Sequence, residues 1–143
     1  MKEKLKFQME FFSNLKYIEL LDEFLQLTLK SHKVPELKIV EIVVATVEAV
    51  SNAIIHGNKN DPNLKVKVSV QFFPEKVTIY VKDSGKGFNI KQVENPRCDK
   101  NILKTHGRGV FIIKSYMDKI SYSFKCGTVI KMEKKVNIKK RGE

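Results

Sequence analysis

The stretch Glu48-Ala49-Val50-Ser51-Asn52-Ala53-Ile54-Ile55-His56-Gly57-Asn58 decides how this chain is read. It has the pattern of a helix end that carries a carboxylate and a carboxamide one turn apart. Glu48 and Asn52 stand at i and i+4, so both side chains leave the same side of a helix. Apolar residues from Ile39 to Val47, with Ile54 and Ile55, take up much of the remaining surface and predict a largely buried helix. Two oxygen-bearing groups that face one point beside a core suit a metal–water–phosphate site. Taken alone, the pair is more simply a solvated polar stripe. Two segments further along the chain change that balance.

The first of them is Val81-Lys82-Asp83-Ser84-Gly85-Lys86-Gly87-Phe88. It follows a strand pattern, Lys76 to Lys82, in which Val77, Ile79 and Val81 alternate with polar or amphipathic residues. Asp83 therefore stands where a strand ends, and Gly85 and Gly87 allow a tight turn with little steric cost. The second is Thr105-His106-Gly107-Arg108-Gly109-Val110-Phe111-Ile112-Ile113-Lys114, where glycines run into an apolar helical pattern. A glycine-rich entry to a helix presents free backbone N–H groups and the positive end of the helix dipole, which suits a phosphate.

Taken in order, the three segments resemble the GHKL, or Bergerat-fold, family of ATP-binding domains. Glu48…Asn52 matches its N box, Asp83-Ser84-Gly85-Lys86-Gly87 the D-x-G-x-G box that holds adenine, and Gly107-Arg108-Gly109 the glycine box beside the phosphates. Within the family the chain is most similar to the bacterial anti-sigma factor serine kinases of the RsbW and SpoIIAB type. The likeness spans roughly Leu5 to Glu133, including the helix that runs into Asp118 and the closing hairpin at Gly127-Thr128. Three boxes in order, in these strand and helix contexts, are specific for the fold and less so for the subfamily.

Composition bounds the answer independently. One domain of ordinary size accounts for the 143 residues, with 42% hydrophobic and 30% charged residues, a globular balance. No apolar run in the sequence approaches the ~20 residues needed to span a bilayer. The start of the chain, Met1-Lys2-Glu3-Lys4-Leu5-Lys6, lacks an apolar signal core, so a cytoplasmic location is expected. Cys98 and Cys126 lie far apart and near no metal-ligand pattern, which suggests two reduced thiols. Net charge is +11, from 27 Lys+Arg against 16 Asp+Glu. A basic balance attracts polyanions. No aromatic-interleaved stripe, zinc module or recognition helix points to nucleic acid, so no direct nucleic-acid binding is expected. A basic face could instead dock an acidic protein.

Along the chain, alternation from Leu5 to Phe11 predicts a first strand. Ser13 or Asn14 is placed to cap a helix from about Leu15 to Lys30. Pro35 opens the next helix, which runs to His56 with Gly57 as its stop. Val66 to Phe72 and Lys76 to Asp83 form a hairpin. Periodicity fades over residues 89–105, the position of the ATP lid in the resemblance. A helix from Gly109 to Met117, a strand from Ile120 to Phe124 and a last strand from Thr128 to Val136 complete the order, before a charged tail. The expected architecture is α+β, a two-layer sandwich with a mixed, mostly antiparallel sheet of about five strands and about three helices on one face. No second domain or linker is expected within residues 1–143.

The resemblance gives these residues roles. Asp83 would accept a hydrogen bond from the adenine amino group, with Gly85 and Gly87 opening the backbone. The plainer alternative is an Asp-Ser-Gly surface turn. Thr128 matches a threonine that many members place near the base, or is simply a strand residue. Asn52 would coordinate Mg²⁺ through its side-chain oxygen, and Glu48 would be the general base that takes a proton from an attacking hydroxyl. His56 fits a helix-end or core histidine better than a catalyst. Gly107 and Gly109 would bring N–H groups to the phosphates. Arg97, Lys100, Lys104, His106 and Arg108 are cations in or beside the lid, any of which could meet the γ-phosphate. Lys104 and Arg108 stand closest to the glycine box.

The implied function is an ATP- and Mg²⁺-dependent protein-serine kinase acting as an anti-sigma factor. It would phosphorylate a STAS-type antagonist and sequester a sigma factor, as a possible homodimer and without a membrane. An ATP-gated binding module lacking useful kinase activity is the alternative from another class. A detached histidine-kinase catalytic domain is a third, although His32 and His56 are poorly placed as phosphoacceptors. No G-x-x-x-x-G-K-[ST] occurs, which disfavours a P-loop enzyme, and the third glycine of a Rossmann turn is missing after Gly85 and Gly87.

Overall fold

The computed structural model of the chain describes residues 5–85, 107–124 and 127–136. Strand β1 (Leu5–Phe12) leads through a single 3₁₀ turn, Leu15–Tyr17, into α1 (Ile18–Ser31), followed by α2 (Glu36–Asn52). A π-helical turn, Ala53–Gly57, extends α2. Then come β2 (Lys65–Phe72), β3 (Lys76–Asp83), α3 (Gly107–Tyr116), β4 (Lys119–Ser123) and β5 (Val129–Lys135). The strands form one sheet in the order β1-β2-β3-β5-β4, with every neighbouring pair antiparallel. The architecture is α+β, as expected.

Alternation sorts each strand into a core side and an open side. Val66, Val68 and Val70 of β2, Val77, Ile79 and Val81 of β3, and Ile130 and Met132 of β5 are buried beneath the helices. Leu21, Leu25 and Leu29 recur every fourth residue along α1 and are fully buried. Each contributes roughly 1.5–3 kcal/mol by leaving water. Helix α2 packs against α1 and α3 on its flanks and against β3 and β5 below. Its burial is less complete than its apolar sequence suggests: Val40 is 56% and Ile55 38% exposed.

By length and composition, the 22-residue Glu36–Gly57 does reach the range of a membrane span, with a mean hydropathy of 1.6 in its most apolar part. Half of that stretch is buried inside the fold, as befits the central helix of the helical layer. The sequence expectation that no run comes near this length is corrected accordingly. The cause is that the many Val and Ile residues between Ile39 and Ile55 raise the average enough to outweigh Glu41, Glu48 and the polar residues among them.

Helix ends follow local chemistry. Asn14 caps the 3₁₀ turn, its Oδ1 accepting from Lys16 N at 3.0 Å. Helix α1 closes with Lys33 N on Lys30 O at 2.9 Å and Val34 N on Leu29 O at 3.1 Å, with Lys33 left-handed at φ 58°. That is the Schellman closure, here with lysine where glycine is usual. Lys134 belongs to the basic stretch at the end of the chain, yet its side chain turns inward and is 4% exposed. It hydrogen-bonds Glu41 of α2 and the Tyr116 carbonyl at the C-terminal end of α3, where a cation complements the dipole.

Candidate functional site

Helix α2 does not simply stop at Gly57. Asn58 N donates to Ala53 O, five residues back, at 2.8 Å, which widens the last turn. The widening sends the Asn58 side chain inward, to 1% exposure. Its Nδ2 donates to Ser13 Oγ at 2.5 Å and to Lys65 O at 3.0 Å, and its Oδ1 accepts from Ser84 N at 3.0 Å. One carboxamide thus ties the end of α2 to the exit of β1, the start of β2 and the turn after β3. Sequence reading passes over Asn58 as a turn former, although its place directly after His56-Gly57 is an available signal.

This knot fixes the surroundings of Asp83. Its side chain is 2% exposed at the end of β3. Oδ1 accepts from Thr128 N at 3.1 Å and from Gly85 N at 3.2 Å, and Asp83 N donates to Thr128 O at 3.0 Å. The Thr128 hydroxyl also hydrogen-bonds the carboxyl group. Of the two sequence readings of Asp83, the exposed surface turn is therefore wrong. The turn is present, but the carboxylate points inward. Glycines make the room for it. A Cβ on Gly57 would stand 2.1 Å from Asp83 Oδ2, and one on Gly85 2.1 Å from Gly57 O. Gly127, at φ +83°, lies over the Asp83 backbone, where a Cβ would come within 2.5 Å of its carbonyl oxygen. Gly57 is thus needed for contact with Asp83. The helical turn does end at Gly57, as expected, but without a left-handed residue there, since Gly127 is the sole positive-φ glycine among the described residues.

Gly57→Ala is expected to push the carboxylate aside. Overpacking costs about 1–3 kcal/mol, and the low end applies because a carboxylate can rotate. Thermal unfolding should show a Tm several degrees lower. An unchanged Tm would mean that the Gly57–Asp83 contact is loose.

Burial raises the pKa of Asp83 above its ordinary value of 3.8, partly offset by the bonds from Thr128 and Gly85. A raised folded-state pKa means that the folded chain holds this proton more tightly than the unfolded chain. The stability from that proton is complete below 3.8 and is lost as pH rises through the raised value. A ligand that donates a hydrogen bond to Asp83 needs the ionised form, so its affinity has the opposite dependence. Binding of an amino-bearing ligand should weaken as pH falls through the window just above 3.8. Calorimetric titrations across that window check this, and a flat profile would separate Asp83 from the ligand.

A second cluster lies further back on α2. Glu48 and Asn52 are partly exposed, and the first turn of α3 is seated on them. A point one Cβ out from Gly109 is 2.9 Å from Asn52 Nδ2, 3.3 Å from Asn52 Oδ1 and 3.4 Å from Glu48 Oε2. Carboxylate, carboxamide and a helix N-terminus therefore converge at one place. A hard cation can use the oxygens, and an anion can use the free N–H groups. Gly107 opens α3 by its backbone. Gly87, Lys104, the Arg108 side chain and the expected lid, residues 89–105, lie outside the described residues, as do both cysteines. Among the described residues no group of three or more His, Cys, Asp or Glu could hold a metal. Any cation here would depend on Asn52, Glu48 and oxygens from the ligand itself. Desolvation depresses the pKa of His56, which keeps the ring neutral near the end of the helix.

Residues 11–134 match the model of the histidine kinase-like ATPase domain, and the chain belongs to that family. Within it, the chain is related to anti-sigma F factors. It is 35% identical to the anti-sigma F factor of Anoxybacillus flavithermus over 101 residues, covering 68% of this chain and 69% of that one. It is 33% identical to the anti-sigma F factor of Clostridium botulinum strain Eklund 17B over 105 residues, covering 71% and 73%. Among solved structures, the RsbU and RsbW domains of a Mycobacterium tuberculosis protein align over 92% of this chain with a TM-score of 0.62 and 14% identity. This chain spans 32% of that one, and the likeness is one of fold.

Proposed function

We propose that the chain is an ATP-binding protein-serine kinase that acts as an anti-sigma factor. One observation carries the reading: a single helix, α2 with its π-helical extension, brings a buried carboxylate pocket and an oxygen-and-amide cluster into one site. The residues fit a nucleotide. Asp83 offers a desolvated acceptor, with Gly57, Gly85 and Gly127 closely packed around it and the end of α2. Gly107 and Gly109 open a helix whose N-terminus faces Asn52 and Glu48. They fit Mg²⁺ as a shared ion, with Asn52 Oδ1 as the protein ligand and the remaining positions left to phosphate and water.

When bound, Mg²⁺–ATP supplies the phosphoryl group. Glu48 would accept the proton of the attacking serine hydroxyl, with ADP as the group that leaves. Asn52 would orient the shared ion, Gly107 and Gly109 would offer N–H groups to the phosphates, and Lys104 or Arg108 would supply positive charge. Gly87, as the last glycine of the D-x-G-x-G box, would belong to the adenine side of the site by resemblance. The relatives named anti-sigma F factor support a sigma factor as the held partner, and the family resemblance alone implies a STAS-type antagonist as the substrate. A cytoplasmic homodimer is the assembly this reading implies.

The direct test is incubation with γ-labelled ATP and Mg²⁺, alone and with antagonist candidates from the same genome. Label on an antagonist serine is the expected result. Tight ATP binding with no labelled protein would replace the kinase reading with an ATP-gated binding module. Label on a histidine would point to a detached histidine-kinase domain.

A further inference from the structure

The side of the sheet away from the helices carries a charge pattern that the nucleotide site does not use. Strand register places Lys6 and Glu10 of β1, Lys65 and Lys67 of β2, and Lys76 and Lys82 of β3 on that side. Lys131, Glu133 and Lys135 of β5 and Lys119 of β4 complete it. Lys65 pairs with Glu10 at 3.5 Å, and Glu133 is shared by Lys76 at 3.0 Å and Lys131 at 3.6 Å. The remaining five, Lys6, Lys67, Lys82, Lys119 and Lys135, have no carboxylate at salt-bridge distance among the described residues. At the centre of this side the Thr78 hydroxyl is buried, with no hydrogen-bond partner among the described residues. A shallow depression of about 450 Å³ lies beside it, lined by Lys119, Ile120, Ser121, Lys131 and Glu133. The outer helices have the opposite balance: Glu19, Asp22, Glu23, Glu36, Glu41 and Glu48 against Lys30 and Lys38.

We infer that this open sheet face is a docking surface for the carboxylate-rich surface of a partner protein. Unpaired lysines on a flat sheet complement dispersed carboxylates and steer their approach. A second copy stacked face to face would set lysine against lysine. Nucleic acid fits less well, because Glu10 and Glu133 would meet phosphates, the face has no arginine, and Tyr80 is covered by Lys131, whose Nζ stands 5.9 Å from the ring centroid. Partner carboxylates would pair with Lys67, Lys82 and Lys119. This surface is on the other side of the sheet from Asp83 and Glu48, so its test is separate from the nucleotide reading.

The test compares two triple variants of the full chain for binding a labelled short poly-L-glutamate peptide. One is K67E/K82E/K119E, and the control is K30E/K38E/K114E on the helical layer. Both change the net charge equally. The face variant should lose about 3- to 150-fold in affinity, as three exposed pairs of ~0.2–1 kcal/mol imply, while the control stays close to the native value. The neutral K67Q/K82Q/K119Q variant should fall in between, and unchanged unfolding midpoints exclude misfolding. Equal losses in both triples would overturn the inference. So would tighter, face-dependent binding of duplex DNA, which would make the surface a nucleic-acid site. Concentration-dependent self-association abolished by K67Q/K82Q/K119Q would overturn it in favour of a second copy.

Discussion

Replacing Glu48 with Gln should slow phosphoryl transfer to a serine by ~10²–10⁴-fold, the usual span for a general base, while ATP affinity stays nearly native. The substitution keeps the size of the side chain and its place one turn before Asn52, beside the start of α3. It removes the capacity to accept the hydroxyl proton. On the proposed reading, binding would need Asp83 and the N-terminus of α3, neither of which the new carboxamide should disturb. Single-turnover transfer separates the two quantities, because it reads chemistry at saturating nucleotide. Native transfer rates in the variant would remove Glu48 from the reaction. A parallel loss of ATP affinity would make it a binding residue instead.

Asp83→Asn should weaken ATP and ADP binding by ~1–3 kcal/mol, or about 5- to 150-fold. The carboxylate accepts from Thr128 N and Gly85 N, and a carboxamide oxygen can replace it on that side. The other half then becomes an NH₂ group, which sets a donor against the donor of the adenine amino group. The site is buried, so water does not compensate the mismatch. The variant should also lose the acid-side decline in affinity, because the titrating group is gone. Folding should be preserved or slightly improved, since burial disfavours the charge of the native side chain.

Much of this is legible in the chain. Alternation places the β2–β3 hairpin at Val66–Phe72 and Lys76–Asp83, and it lies at Lys65–Phe72 and Lys76–Asp83, because a half-buried strand writes its two faces into every second residue. Strand order is not legible: alternation tells which face is buried and says nothing of whether β5 or β4 lies beside β3. The π-helical turn is hidden too. Ala53-Ile54-Ile55 continues the apolar helical pattern, and the widened turn goes with the hold of Asn58 on Ser13, Lys65 and Ser84, distant partners invisible to a local reading. Lys134 misleads for a related reason, since its inward turn depends on Glu41 and the end of α3. At the site, the spacing of Glu48 and Asn52 and the strand-end position of Asp83 are readable from periodicity. That Gly57 is the floor beneath Asp83 is not, because the contact joins the ends of two elements.

The most direct test of the central claim, an adenine-reading site built around Asp83, is calorimetric titration of the unmodified protein with Mg–ATP and Mg–GTP. Adenine presents an amino group where guanine presents a carbonyl oxygen. An ionised Asp83 can only accept, so GTP would leave two acceptors facing each other in a buried place. The account predicts saturable ATP binding and GTP binding weaker by about tenfold or more. Equal affinity for the two nucleotides, or no binding of either, would contradict it.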